Sequence, residues 1–338
     1  MKKTLLLLTL SAFLATPMLG MAEIRATSEG KPRSHKVKPH RHIAGKAKKA
    51  ASLAPRRQIA KASARVHPRV NAAYNSHTPL RAMKVSYDSA LKDGDLDLKS
   101  AAALVVDQKS GEALYAKNTD VATPIASITK LMTAMVTLDA GLPLDEEITI
   151  SSEDMDRLKG TGSRLALGTR LTRLELLHLA LIASENRAAA ALSRAYPGGR
   201  EAFIPAMNRK AQEIGMKQAN FVDGTGLNSK NQATASDLVK MVDAASHYPL
   251  IHEITSSGSY DVSLPGRQVV RVKQNGKLRR VTREVLRHIA FHNTNSLTRN
   301  QDWDIGVSKT GYINEAGRCL VMQASIAERK VIIVLLDS

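Results

Sequence analysis

The chain is 338 residues long, carries a net charge of +18 and contains one cysteine. A single cysteine excludes an internal disulfide framework, so stability must come from a hydrophobic core, which a chain of this length can build. Nor is the protein uniformly basic: residues 23–84 hold 16 Lys or Arg against Glu23 and Glu29, whereas residues 85–338 hold 31 basic and 29 acidic side chains.

In chain order, Met1-Lys2-Lys3, the apolar run Leu5–Leu14 and the small residues Gly20 and Ala22 have the layout of a secretory signal peptide over residues 1–22. The apolar run is too short to span a bilayer comfortably, which favours cleavage after Ala22 over a retained anchor. Residues 23–95 follow as a basic, Ala/Lys/Arg/His-rich segment. It holds too little Leu, Ile or Phe to offset its ordering entropy and is expected to be disordered. The plainest role for such a segment is a solvated tether, and its charge also suits anionic envelope polymers. Nucleic acid is not an expected partner of an exported chain.

Order is expected from about Leu96, giving one folded unit over residues 96–338. Ala101–Asp107 reads as a strand, Gln108–Gly111 as a turn and Ala113–Ala116 as the return strand. Thr123 and Pro124 suit a helix start, a cap followed by a first-turn proline. Ile128, Leu131, Met132 and Met135 continue at helical spacing toward Gly141. Ile148–Ile150 is a short extended piece, Ser151–Leu158 a short helix and Gly160–Ser163 a loop. Thr172 caps an apolar helix, with Glu175 completing a capping box. Arg200–Ile214 and a segment opening at Thr234 are further helices, and Ser256–Arg280 reads as hairpin or loop. Ile305–Ile313, Arg318–Ala327 and Val331–Leu336 are strands linked by tight turns. They form an antiparallel sheet that the first hairpin joins and the helices cover, an α+β arrangement. Cys319, inside an apolar run, reads as a buried structural thiol.

On a helix, Ser127 and Lys130 lie one turn apart on one face. A serine hydroxyl is a weak nucleophile until a base takes its proton, and a lysine whose pKa is lowered by burial or nearby positive charge can be that base. Ser184-Glu185-Asn186 after the apolar helix and Lys309-Thr310-Gly311 on a strand are each uninformative alone, being ordinary cap and edge residues. In this order and context, however, Ser-x-x-Lys, Ser-x-Asn and Lys-Thr-Gly resemble the motif set of penicillin-binding proteins and serine β-lactamases. Phe221–Leu227, Thr234–Asp237, His292–Leu297 and Lys309–Leu320 are similar to recurring segments of the low-molecular-mass D-alanyl-D-alanine carboxypeptidase and endopeptidase family. The resemblance covers about residues 96–338 and leaves the basic segment outside. Many carboxypeptidases of that family continue into a β-rich domain and a membrane-binding amphipathic helix. This chain ends at Ser338 straight after its last strand, which fits the endopeptidase branch.

The resemblance implies a serine β-lactamase/DD-peptidase-like fold, an antiparallel sheet flanked by helices with a helical subdomain. It implies a periplasmic enzyme, loosely associated with the envelope, that cleaves D-Ala–D-amino-acid bonds in peptidoglycan stem peptides and cross-links. DD-endopeptidase is the leading expectation and D-alanyl-D-alanine carboxypeptidase the alternative; β-lactam antibiotics would be covalent inhibitors. By the same resemblance Ser127 would be the nucleophile, Lys130 its base and Ser184 the proton relay to the leaving amine. Asn186 would hold a substrate amide, Lys309 and Thr310 a substrate carboxylate, and Gly311 would let the substrate backbone lie against the strand. The N–H groups of Ser127 and Tyr312 would receive the oxyanion. No cofactor is needed for such a reaction, and the histidines, half of them in the basic segment, suggest no metal. A β-lactamase would need an added carboxylate to activate water, and no Glu-x-x-Leu-Asn lies between Asn186 and Lys309. An inactive binding module would have no use for the intact motif set.

Overall fold

The computed structural model describes residues 82–91, 96–274 and 277–338. The signal-peptide reading of residues 1–22 and the basic segment up to residue 81 lie outside the described residues. Strands β1 (Ala102–Asp107) and β2 (Ala113–Lys117) pair with β9 (Asp304–Ile313), β10 (Gly317–Ile326) and β11 (Arg329–Leu336) in one antiparallel sheet of order β2-β1-β11-β10-β9. The first hairpin thus joins the last three strands, with Ala102 opposite Leu336 and Asp107 opposite Val331. β1 is buried along its whole length and β11 from Val331 onward, because both faces of the sheet are covered. Val106, Val321, Ile332 and Val334 face the larger core under the helices. Val105, Leu320, Ile333 and Leu335 face a smaller one, closed by Leu98, Leu297 and Trp303. Helices therefore cover one face, and irregular chain covers the other.

Helix α1 (Thr129–Asp139) is the centre of the larger core. Every residue from Thr129 to Leu138 is buried. Around it pack α2 (Arg173–Ile182), α3 (Asn186–Arg194), α4 (Gly199–Glu213), α5 (Ala235–Ser246) and α6 (Pro249–Ser256). A helix enclosed on all sides is apolar all round. This helix buries Thr129, Thr133 and Thr137 as well, but Lys130 is the one charged side chain among its buried residues, and its position at the N-terminal turn puts it beside the edge strand β9.

Four expectations need correction. Thr123 does not cap α1: Thr123–Pro124 forms the short strand β3, paired with β6 (Gln232–Ala233), while β4 (Glu147–Thr149) and β5 (Arg170–Thr172), between them in the chain, pair with each other. The next N–H, of Ile125, is taken by the Asn231 carbonyl at 3.1 Å, and the helix opens instead through a 3-10 turn at Ala126–Ile128. Pairing with a distant segment has overridden a local capping signal. The helix expected over Ser151–Leu158 is a single 3-10 turn at Ser152–Asp154. Beyond it the Asp156 carboxylate accepts the N–H groups of Leu158, Lys159 and Thr161, a local alternative to helical hydrogen bonding. The hairpin read as far as Arg280 is longer: β7 (Ser259–Gln274) pairs with β8 (Lys277–His292) over sixteen residues each.

Finally, order begins before Leu96. Ser86 and Leu91 bridge to Glu112 and Tyr115 beside β2, and Met83, Val85 and Ala90 lie against the larger core. These few apolar residues are diluted by the surrounding basic composition, which is why the sequence reads as disordered there. No helix among the described residues is long and apolar enough to cross a membrane.

Candidate active site

Ser127 stands in the 3-10 turn and Lys130 in the first turn of α1, with Lys130 Nζ 2.7 Å from Ser127 Oγ. Lys130 Nζ also donates to Asn186 Oδ1 at 2.8 Å and to the Thr225 carbonyl at 2.6 Å. Two carbonyl oxygens thus hold two of its N–H bonds. The remaining tetrahedral direction points at Ser127 Oγ, and it is an N–H when the lysine is charged and a lone pair when it is neutral. Burial lowers the Lys130 pKa to about 7, against the opposing pull of the Asp223 and Glu185 carboxylates. The amine able to accept the serine proton is therefore abundant at neutral pH.

Lys309 enters from β9, an edge strand whose outer side faces the Ser127 turn. It is 1% exposed and donates to Ser184 Oγ at 3.0 Å and to the Thr310 carbonyl at 2.7 Å. Burial, and then the charge of Lys130, hold its pKa well below the usual lysine range. The repulsion is mutual, so each of the two buried ammonium groups favours the neutral form of the other. Thr310 donates to Thr294 Oγ1 at 2.6 Å. A Cβ on Gly311 would stand 3.0 Å from both the Ile125 carbonyl and the Ser127 nitrogen, so glycine lets β9 lie directly on the nucleophile turn. Tyr312 is 64% exposed at the rim.

Two non-glycine residues of the site hold left-handed backbone conformations, Ala126 at φ +45° and Ser184 at φ +57°. Each such conformation costs of order 1–3 kcal/mol and persists only where surrounding structure enforces it. At Ala126 the enforcing element is the loop Asp223–Asn228. The Asp223 carboxylate accepts the N–H groups of Thr225, Gly226 and Asn228 and the Thr225 hydroxyl, which aims the Thr225 carbonyl at Lys130. Gly226, at φ +83°, passes so close that a Cβ would come within 1.9 Å of the Ala126 oxygen. Asn231 ties loop to helix: it accepts the Val222 N–H at 2.8 Å and donates to Thr129 Oγ1 at 3.1 Å.

The opposite wall is the loop at residues 156–163. Asn186 Nδ2 donates to Thr161 Oγ1 at 3.0 Å, and Ser163 Oγ bonds the Glu185 carboxylate. Lys159 pairs with Glu315 on the turn between β9 and β10. Burial raises the pKa of Glu185. Among the described residues no group of three or more His, Cys, Asp or Glu is placed to hold a metal.

Ser127, Lys130, Ser184, Asn186 and Lys309 are therefore joined through two hydrogen-bonded groups, linked by the Ser184-Glu185-Asn186 turn, with Thr310 and Gly311 beside them and Tyr312 at the edge. The sequence reading missed Thr225, Thr161, Glu185 and Thr294. The run Asp223-Gly-Thr-Gly226 was a usable signal, since an Asp followed by closely spaced glycines marks a tight turn. The other three carry no signature of type or spacing.

Comparison with known proteins gives the family. The profile of the D-alanyl-D-alanine carboxypeptidase family, peptidase family S11, matches residues 89–338. The D-alanyl-D-alanine endopeptidase of Pseudomonas aeruginosa is 43% identical over 72% of this chain and 72% of its own length. The D-alanyl-D-alanine endopeptidase of Escherichia coli is 40% identical over the same shares. The crystal structure of the Streptomyces K15 DD-transpeptidase superposes with a TM-score of 0.60 at 27% identity, covering 71% of this chain and 90% of that one. With a serine–lysine pair at its centre, this fold and this match, the chain belongs to the D-alanyl-D-alanine carboxypeptidase family of serine peptidases.

Proposed function

We propose that the protein is a DD-endopeptidase that hydrolyses D-Ala–D-amino-acid cross-links of peptidoglycan through an acyl-enzyme on Ser127. The observation that carries the reading is the 2.7 Å contact between Ser127 Oγ and a fully buried Lys130 whose pKa lies at about 7. In the first step the Ser127 Oγ–H bond breaks, its proton passes to Lys130 Nζ, and Oγ bonds the D-alanyl carbonyl carbon. The oxyanion falls to the N–H groups of Ser127 and Tyr312. Collapse breaks the C–N bond, and the proton held on Lys130 passes by way of Ser184 to the leaving amine, which returns Lys130 to its neutral form. Water then loses a proton to the neutral Lys130 and bonds the acyl carbon, the C–Oγ bond breaks, and Ser127 Oγ takes that proton back. Lys309 and Thr310 face the substrate carboxyl side, with Gly311 allowing the peptide to lie along β9. Asn186 receives a substrate amide once its Nδ2 leaves Thr161.

The endopeptidase assignment is favoured over carboxypeptidase by the relatives at 43% and 40% identity, both named D-alanyl-D-alanine endopeptidase. Export to the periplasm, inhibition by β-lactams and a loose hold on the envelope belong to the same proposal. Digestion of purified sacculi, with products identified by mass, tests it. Loss of cross-linked dimers is expected; loss of terminal D-Ala from monomers alone would make the enzyme a carboxypeptidase. Labelled penicillin is expected to form a lasting adduct that Ser127→Ala abolishes, and rapid turnover of the drug would point to a β-lactamase instead.

A further inference from the structure

β7 and β8 form a two-stranded arm, whose root meets Arg164 through the Ala290 carbonyl and the Phe291 ring. Its root is packed: Val262, Leu264 and Phe291 are buried, and His178 stacks on Tyr260. From Pro265 outward on β7, and as far back as Ala290 on β8, no described residue is buried. Residues 265–288 carry eight Lys or Arg and one carboxylate, Glu284, whereas the remainder of residues 85–338 holds 23 basic and 28 acidic side chains. The positive charge of the folded unit is thus gathered on the arm, and the body behind it is net negative. None of the eight cations enters an ion pair among the described residues.

The arm is also built at a cost. Arg271 stands directly opposite Arg280, and like charges in that relation destabilise a sheet. A two-stranded element is itself marginal in water. By strand alternation Val269, Arg271 and Lys273 share one face with Leu278, Arg280 and Leu286. On that face Val269, Leu278 and Leu286 are 62%, 69% and 68% exposed.

We propose that this arm is a docking surface for an anionic lipid bilayer, its cations meeting headgroup phosphates and its three aliphatic side chains entering the interface. A soluble polyanion would engage the cations but leave the aliphatic side chains among them without a role; a bilayer engages both.

The test is co-sedimentation of the full chain with vesicles of phosphatidylcholine alone, or of phosphatidylcholine with phosphatidylglycerol. The wild type is compared with Arg271→Gln/Arg280→Gln and with Leu278→Ser/Leu286→Ser. The basic N-terminal segment is present in all three proteins, so differences between them report on the arm. Each cation lost at an anionic lipid surface weakens partition about fivefold, so the arginine variant is expected to bind anionic vesicles roughly 30-fold less. The serine variant is expected to lose the binding that survives high salt. Acylation by labelled penicillin, unchanged in both variants, verifies that the body is folded. Unchanged vesicle binding by the arginine variant overturns the proposal. So does a serine variant that binds like wild type while soluble dextran sulfate competes fully, which would assign the arm to a soluble polyanion.

Discussion

At the scale of single residues, the proposed chemistry rests on a lysine that folding keeps partly uncharged. The Lys130 pKa of about 7 lies below the ordinary 10.5 because its ammonium has left water. Two consequences differ in what they measure. Acylation needs the amine, so its rate is expected to rise about tenfold from pH 6 to pH 8 and then level off; a flat profile would remove Lys130 as the base. Stability follows a different window. Between about pH 7 and pH 10.5 the unfolded chain holds a proton that the folded site has released, so burial of this lysine costs least at high pH and most below pH 7. The melting temperature of the wild type minus that of Lys130→Met is therefore expected to grow from pH 7 to pH 10. Lys130→Arg keeps a charge at every working pH. It is expected to slow acylation at least a hundredfold, and a loss within tenfold, about 1.4 kcal/mol of barrier, would tell against proton transfer to this side chain.

At the scale of elements, the nucleophile turn is held by what lies against it. Gly226 is the contact point of the Asp223–Asn228 loop, at φ +83° and within a Cβ's reach of the Ala126 oxygen. Gly226→Ala is expected to destabilise the fold by more than ~1 kcal/mol, since alanine is strained at positive φ. Acylation should suffer more than stability, because the loop also carries the Thr225 carbonyl to Lys130. Equal melting and equal acylation in the variant would show that the loop does not set the turn. What was legible in the sequence follows the same division. The Thr172–Glu175 capping box and the C-terminal strands are local patterns, and both stand in the structure. Thr123-Pro124 carries the same local signature as a cap, yet it bridges to residues more than a hundred positions away, which no local pattern encodes. Helix α3 was hidden because the left-handed Ser184 separates it from α2 only by a sharp elbow. The three motifs named most of the candidate site because their side chains are the ones that meet there. Thr225 meets Lys130 through its backbone carbonyl, so only the turn signature around it, and not its own residue type, could mark it.

At the scale of the whole molecule, the folded unit takes in residues that precede Leu96. Residues 82–91 look like the tail in composition but behave as part of the body. Ser86 donates its N–H to the Gly111 carbonyl at 2.8 Å and accepts from Ala113 N–H at 2.7 Å. Leu91 accepts from Ala116 N–H at 2.9 Å and donates to the Leu114 carbonyl at 3.1 Å. The segment thus acts as a further partner along β2, a strand that would otherwise present an open edge. Each such bond contributes about 1 kcal/mol net, with the burial of Met83, Val85 and Ala90 added to it. A chain starting at Ala82 is therefore expected to match the full protein in melting temperature and in penicillin acylation. A chain starting at Leu96 should melt lower by on the order of 10 °C. The first truncation also removes most of the basic segment, so it should bind sacculi more weakly at low salt and differ less from the full chain as salt rises, since exposed charges are screened beyond about 8 Å at physiological ionic strength. Two results would move the start of that unit. Loss of acylation on starting at Ala82 would mean that the basic segment packs on the body, and full stability on starting at Leu96 would mean that residues 82–91 ride on β2 without supporting it.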